Sequence, residues 1–474
     1  METNCLNIYD LTIKYKNSED YIIKNLNLKI DSGDFLFITG PSGGGKSTLL
    51  YSINGIIPYL KEGKIRGDIK YKDSSILDVE TLERAKYIGS VLQNADEQII
   101  FDKVEDEIAF PLENLKIDRK EIEERVLSAL NIMNLEVNTN SSVLSGGEKQ
   151  KLITATTLAM MQKILLLDEP LANLDQKSSQ DLLETLKSLC EEGNYSVILV
   201  EHRLDWVLNY ADKVLWLEKD YYKLFTNLDD FKGFLDKKEL ANLDIKGKSL
   251  IYNTKNEILL KAENISWKVK DKVILDNIDF SLYEGERWVL IGENGCGKTS
   301  FINLLSGLIK PTKGKLYSKY KGRNKYTNIG VILQNPNYQL FMPTVKEEIQ
   351  LQSISEERVE ELIEVFKLNG LEDRHPHSLS EGQKRKVSLA SILAMDPDIL
   401  LFDEPTVGQD YKSLQLMIEE LNKINERKLL SMITITHDSR CANYLGNKVI
   451  WLKDGEIYKK GDLSLLEEYQ SINL

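Results

Sequence analysis

One glycine-rich pattern occurs twice in this chain and constrains its fold more than any other feature. Gly40-Pro41-Ser42-Gly43-Gly44-Gly45-Lys46-Ser47-Thr48 recurs as Gly292-Glu293-Asn294-Gly295-Cys296-Gly297-Lys298-Thr299-Ser300, with the lysines 252 residues apart. Other segments return in the same order. Val91-Leu92-Gln93-Asn94 reappears 241 residues on as Ile332-Leu333-Gln334-Asn335. Leu144-Ser145-Gly146-Gly147-Glu148 reappears 235 residues on as Leu379-Ser380-Glu381-Gly382-Gln383. Leu167-Asp168-Glu169-Pro170 matches Phe402-Asp403-Glu404-Pro405, and His202 matches His437, both at 235. Segments repeated in register mean two copies of one structural unit. The shrinking offset places the second copy's deletions between its lysine and its Leu-Ser segment, in the manner of surface loops.

The 474 residues therefore divide into two large domains of roughly 220 residues each. The expected boundaries are 4–225 for the first, a linker at 226–256, and 257–474 for the second; the polar, lysine-rich stretch Asp236–Lys248 within the linker span, with a short possible helix, reads as linker plus the tail of the first copy. Phe35–Thr39 and Trp288–Ile291 are apolar runs that end at a glycine, and read as buried strands feeding a loop. Ile164–Leu167, Val197–Val200, Ile399–Leu401 with Phe402, and Met432–Ile435 read the same way. Helical patterns such as Ser178–Cys190 lie between them. This alternation predicts an α/β fold with a largely parallel sheet.

Composition excludes several classes. A net charge of −13, with no interleaving of aromatic and basic residues, leaves no general attraction for nucleic acid. No apolar run approaches the ~18 residues that span a bilayer, and the first ten residues lack the basic start and apolar core of a signal peptide. Four dispersed cysteines (Cys5, Cys190, Cys296 and Cys441) form no paired framework, which points to a reducing compartment.

The repeated segments carry chemistry. In a G-x-x-x-x-G-K-[ST] loop, glycines let backbone N–H groups cradle phosphates. Gly40, Ser42, Gly43, Gly45 and Thr48 form one cradle; Gly292, Asn294, Gly295, Gly297 and Ser300 form the other. Lys46 and Lys298 would reach the β/γ-phosphates, with Ser47 and Thr299 on Mg²⁺. Asp168 and Asp403 each end an apolar strand, where a carboxylate can orient Mg²⁺, and the following Glu169 and Glu404 can act as general base toward water. Gln93 and Gln334 can touch both the metal and that water, and His202 and His437 can hold the γ-phosphate and the glutamate. His375 and His377 read as a polar surface loop, and Cys296 as a small loop residue.

Taken in order, these motifs resemble tandem ATP-binding cassettes over almost the whole chain. The Leu-Ser-Gly-Gly-Glu segment, absent from ordinary P-loop proteins, carries most of the likeness. The resemblance implies, for each domain, a β-rich N-terminal part and a helical subdomain carrying the signature. It implies a head-to-tail cassette pair formed within one chain, with two ATP at the interface. One site would join Lys46, Gln93, Glu169 and His202 to Ser380, Gly382 and Gln383. The other would join Lys298, Gln334, Glu404 and His437 to Ser145, Gly146, Gly147 and Glu148. Asp175 and Asp410 match the family's D-loop. Tyr15 fits the aromatic residue that stacks on adenine; in the second copy either Val269 or Trp267 stands there, according to the gap chosen.

Finer features resemble the energy-coupling-factor (ECF) importer ATPases. These are the extended loops Gln93–Gln98 and Gln334–Gln339, and the segment Val200-Glu201-His202-Arg203-Leu204-Asp205. Apolar residues follow both loops, at Ile99–Phe101 and Leu340–Met342, where family members dock the coupling helices of a membrane subunit. The second signature departs from the pattern at Glu381. A carboxylate about 4 Å from a phosphate costs roughly 1 kcal/mol in water and about 4 at an effective dielectric of 20. Glu381 is therefore expected to point away, with both sites hydrolysing ATP unequally. The resulting expectation is an ATPase subunit on the cytoplasmic side of the membrane. It would power an importer of a vitamin, vitamin precursor or transition metal, with integral membrane subunits as partners. A soluble ribosome-acting ATPase of the ABC-F type is the alternative. The short linker, the acidic charge and the altered signature stand against it.

Overall fold

The computed structural model describes residues 6–16, 18, 20–95, 97–172, 174–193, 195–238, 254–270, 272–319, 328–406, 411–436 and 439–472. The chain divides into two compact units, Met1–Ala241 and Asn242–Leu474.

In the first unit a six-stranded sheet runs in the order Tyr221–Phe225, Lys213–Glu218, Phe35–Thr39, Ser196–Val200, Ile164–Asp168, Ile88–Val91. All its pairings are parallel except that of the first two strands. The central strands are buried at every position, because both faces are covered. Alternate residues serve different cores. Phe35, Phe37, Leu165 and Leu167 pack with the helices, whereas Leu36, Ile38, Ile164 and Leu166 pack toward a second, antiparallel sheet. That sheet is built from Ile23–Ile30, Leu6–Tyr15, Gly63–Tyr71 and Ser74–Ser75. Each of these buried side chains contributes about 1.5–3 kcal/mol. Helices Val104–Asn114, Arg119–Ile132 and Gly146–Ala159 pack together as a helical subdomain.

The second unit repeats the plan. Its six-stranded sheet runs Ile329–Ile332, Ile399–Asp403, Ser431–Ile435, Arg287–Ile291, Lys448–Lys453, Glu456–Asp462, the same arrangement of equivalent strands. Its antiparallel sheet contains Lys272–Tyr283, Ile258–Val269 and Lys313–Ser318. Helices Val345–Gln350, Glu356–Val365 and Glu381–Ala394 form its helical part.

Helix Leu228–Lys237 lies within the span expected to be linker, yet it belongs to the first unit. Its Phe231 and Leu235 join that unit's core, and Phe231 packs edge-on against Phe225. The compact first unit thus continues past residue 225, and residues 239–253 of the expected linker lie outside the described ones. Among the described residues no helix is long and apolar enough to cross a membrane.

Candidate functional site

Each phosphate loop turns sharply between a central strand and a helix. Gly40 has φ 142°, and a Cβ there would sit 2.1 Å from the Leu217 carbonyl oxygen; Gly292 repeats this with φ 149° and 2.3 Å from that of Leu452. No side chain fits, so both positions require glycine. Gly45 and Gly297 are left-handed and open helices Lys46–Ile53 and Lys298–Ser306, whose first N–H groups lack helical partners. Lys46 Nζ donates to the carbonyls of Gly40 (2.9 Å) and Pro41 (3.0 Å); Lys298 Nζ donates to those of Gly292 and Glu293, both at 2.8 Å. The loops thus hold their lysines across the turn. Ser42, Gly43, Asn294 and Gly295 form the exposed outer side of the loops; Thr48 is buried and Ser300 half-buried.

Strand Ile164–Asp168 delivers the two acids of the first unit beside this loop. Asp168 is enclosed, and neither carboxylate oxygen has a hydrogen-bond partner among the described residues. Burial, reinforced by Glu169, pushes its carboxyl up to about 7, while Ser47 and Lys46 oppose the shift. Glu169 takes a left-handed backbone, φ 52°, held by its N–H to the Val200 carbonyl at 2.9 Å. Such strain in a non-glycine residue clusters at functional sites. Its side chain gathers the other candidates: Gln93 Nε2 donates to Oε2 at 3.0 Å, and His202 Nε2 lies 3.4 Å from Oε1. The same design recurs in the second unit. Glu404 has φ 51° and bonds Ile435 at 3.1 Å, and burial raises the Asp403 carboxyl against the pull of Thr299 and Lys298. Gln334 follows strand Ile329–Ile332 as Gln93 follows its own, whereas His437 and Asp410 lie outside the described residues.

The extended glutamine loops have a structural reason. Gln98 closes its loop by bonding Leu92 N–H, the Leu92 carbonyl and the Asn94 carbonyl. Gln339 does the same through Leu333 N–H and the Val331 carbonyl. The signatures open helices as capping boxes: Ser145 with Glu148, and Ser380 with Gln383. Gly146 and Glu381 hold the first helical position, Gly147 and Gly382 the second; the Glu381 side chain lies outside the described ones. Asp175 caps helix Gln176–Glu191 by accepting from Ser178 N–H. These residues stand on other elements than the acid cluster and bond among themselves.

Tyr15 places its hydroxyl 3.1 Å from Thr48 Oγ1, beside the first phosphate loop. Left-handed Asp10 and Asn264 are equivalent bulges, each N–H bonded to a matching carboxamide or carboxylate at Asn27 or Asp279. Counting from them sets Val269, 46% exposed, opposite Tyr15, and Trp267 packs against the core instead. His375 and His377 are exposed; His377 Nε2 lies 3.0 Å from the Leu340 carbonyl, and His375 caps the same turn. Burial raises the Cys296 thiol, which makes it a poor nucleophile. Glu201 is a site residue to which spacing assigned no role. It is buried, and its carboxylate accepts from Leu171, His202 and Arg203 backbone N–H groups.

Two P-loop domains with paired strand-end acids define a nucleotide-hydrolysing protein, and the chain belongs to the ABC transporter family, whose profile matches residues 23–172 and 275–407. ABC ATPase domains bind ATP with Mg²⁺ and hydrolyse it, and this chain carries two. It is 32% identical over 522 residues to the "Putative ABC transporter ATP-binding protein" of Methanosarcina mazei, covering 96% of this chain and 88% of that one. It is 31% identical over 493 residues to the "Putative HMP/thiamine import ATP-binding protein YkoD" of Bacillus subtilis, covering 95% and 90%. Its fold resembles a solved complex of "archaeal ribosomal stalk protein aP1 and archaeal ribosome recycling factor aABCE1". The TM-score is 0.67 at 20% identity, covering 98% of this chain and 92% of that one.

Proposed function

We propose that this chain is the ATP-hydrolysing engine of a membrane importer of ECF type, carrying a vitamin, vitamin precursor or transition metal. The observation that carries the reading is a pair of apolar tips held out toward solvent. Ile100 is 70% exposed and Phe341 72%. Each tip sits on a loop pinned by a buried glutamate: Glu107 accepts from Ile100 and Phe101 N–H, and Glu348 from Phe341 and Met342 N–H. Beside Phe341 the second unit has a groove lined by Leu308, Tyr338, Leu351, Ile392 and Met395. Apolar side chains fixed in water by a buried carboxylate suit docking to an apolar partner. The likeness to a thiamine-import ATPase supports the substrate class.

In this reading Lys46 and Lys298 leave their loop carbonyls for ATP phosphates. Ser47, Gln93 and Asp168, with Thr299, Gln334 and Asp403, would hold Mg²⁺; the partnerless Asp168 carboxylate fits a cation. Mg²⁺, when bound, neutralises phosphate charge. Glu169 and Glu404 take the proton of the attacking water, with Gln93, Gln334, His202 and His437 orienting them. The cassettes close head to tail on ATP, each signature facing the other cassette's loop, with Asp175 and Asp410 between. They reopen after hydrolysis, because ATP binds the closed state more tightly. The chain then works on the cytoplasmic face of the membrane.

Mild-detergent pull-down of the tagged chain from its native cells tests this. A multi-spanning membrane subunit together with a small substrate-binding membrane protein is the expected catch. Ribosomal proteins without a membrane partner would overturn the importer and favour the ribosome-acting alternative.

A further inference from the structure

The two units differ at one buried position beside the hydrolytic cluster. In the first, Glu201 follows strand Ser196–Val200 and its carboxyl group is enclosed. Its Oε1 accepts from Leu171 N–H at 3.2 Å; its Oε2 accepts from His202 N–H at 2.7 Å and Arg203 N–H at 3.3 Å. Leu171 lies two residues past Glu169. One carboxylate thus ties the turn after the catalytic acid to the turn that carries the histidine. The Arg203 guanidinium lies 4.3 Å from the centre of the Trp206 ring, so the chain beyond the histidine is anchored too. In the second unit Thr436 and Thr406 stand at the places of Glu201 and Leu171, 235 residues on, with their hydroxyls 3.2 Å apart. There the two turns meet through two hydroxyls rather than through one shared carboxyl group.

We propose that Glu201 is a positioning residue of the first site: its carboxylate, shared by Leu171, His202 and Arg203 N–H groups, holds the His202 ring against Glu169. The inference rests on the reading of Glu169 and His202 as the hydrolytic pair. It gives the first site a positioning carboxyl at the place where the second has Thr436. A threonine at 201 is too short to span both turns, so the ring loses its fixed place while the phosphate loop, on another strand, keeps its own. The effect belongs in turnover and not in ATP binding.

The test uses the full chain carrying Glu404→Gln, so that turnover reports the first site. Glu201→Thr is expected to lower kcat about ten-fold or more, with the KM for ATP changed by less than about two-fold. Installing the second unit's own pair, Glu201→Thr with Leu171→Thr, is expected to restore kcat to within about five-fold of the parent, since two hydroxyls can bridge the turns. Should Glu201→Thr not fold, the isosteric Glu201→Gln decides: its amide opposes one N–H, and kcat should drop about three-fold or more at constant KM. A kcat unchanged in the variant that folds, or kcat and KM worsening together with no rescue, overturns the proposal. Glu169→Gln in the same background must abolish turnover; if it does not, the underlying reading of the pair fails and the proposal with it.

Discussion

Asp168 shows how a single enclosed carboxylate trades stability for chemistry. Its carboxyl is held at about 7 against an ordinary 3.8, by burial first and then by Glu169. The folded state therefore binds this proton more tightly than the unfolded chain. The sign follows: the group's contribution to stability is fully present below about pH 4 and is lost as pH rises to about 7. Asp168→Asn removes the ionisation. At pH 8 without Mg²⁺ it should raise Tm by a few degrees while Mg²⁺-dependent turnover at the first site is lost; a lower Tm would contradict the burial argument. The two glutamates proposed as general bases make a parallel prediction. Glu169→Gln and Glu404→Gln should each reduce ATP turnover in steady-state assays, by unequal factors. If either leaves the rate unchanged, two-site hydrolysis is wrong. Tyr15 and Val269 differ in the same way. Tyr15→Ala should weaken nucleotide binding about ten-fold at the first site, whereas Val269→Ala should leave the second unchanged, as read by titration with a fluorescent ATP analogue.

At the level of elements, buried polar side chains tie helices and loops in place. Arg84 is fully buried and donates to the carbonyls of Ser52, Ile53, Leu77 and Val79. Two of these carbonyls end the helix that follows the first phosphate loop, where a cation also suits the helix dipole. Arg84→Met would leave four carbonyls without this donor. A loss of about 2–4 kcal/mol is expected from urea unfolding of the chain, with the midpoint shifted at constant slope. The tail helix Leu228–Lys237 carries Leu228, Phe231, Phe234 and Leu235 on the first unit's core, a helical spacing that linear order shows without saying which core it joins. Phe231 and Leu235 lie four apart on one helical face, and only the waiting pocket around Phe225 gives that spacing a meaning. The capping boxes, by contrast, were readable in principle: Ser-x-x-Glu and Ser-x-x-Gln at the signatures are helix starts.

At the scale of the whole molecule, the repeat gives both units the same outward apolar tip behind the same buried glutamate. Ile100→Asp with Phe341→Asp should abolish co-purification of membrane subunits, yet leave the ATPase rate of the isolated chain within about two-fold, because neither residue touches the acid cluster. Retained co-purification would place docking elsewhere.

The residue order alone determined that there are two phosphate-binding domains and where their loops, strands and acids fall, whereas ATP as their substrate followed from the family resemblance. These are local properties. A glycine loop, an all-apolar strand and an acid at its end each follow from a few neighbouring residues whose spacing the backbone must obey. Tertiary structure decided the rest. It brought Gln93 to Glu169 across 76 residues. It gave Glu201 three backbone donors from two separate turns, and carried His377 to the Leu340 carbonyl. It chose Val269 over Trp267 through one left-handed bulge at Asn264. Such contacts depend on which strands lie side by side and on a register that a single bulge can shift, and linear spacing carries neither.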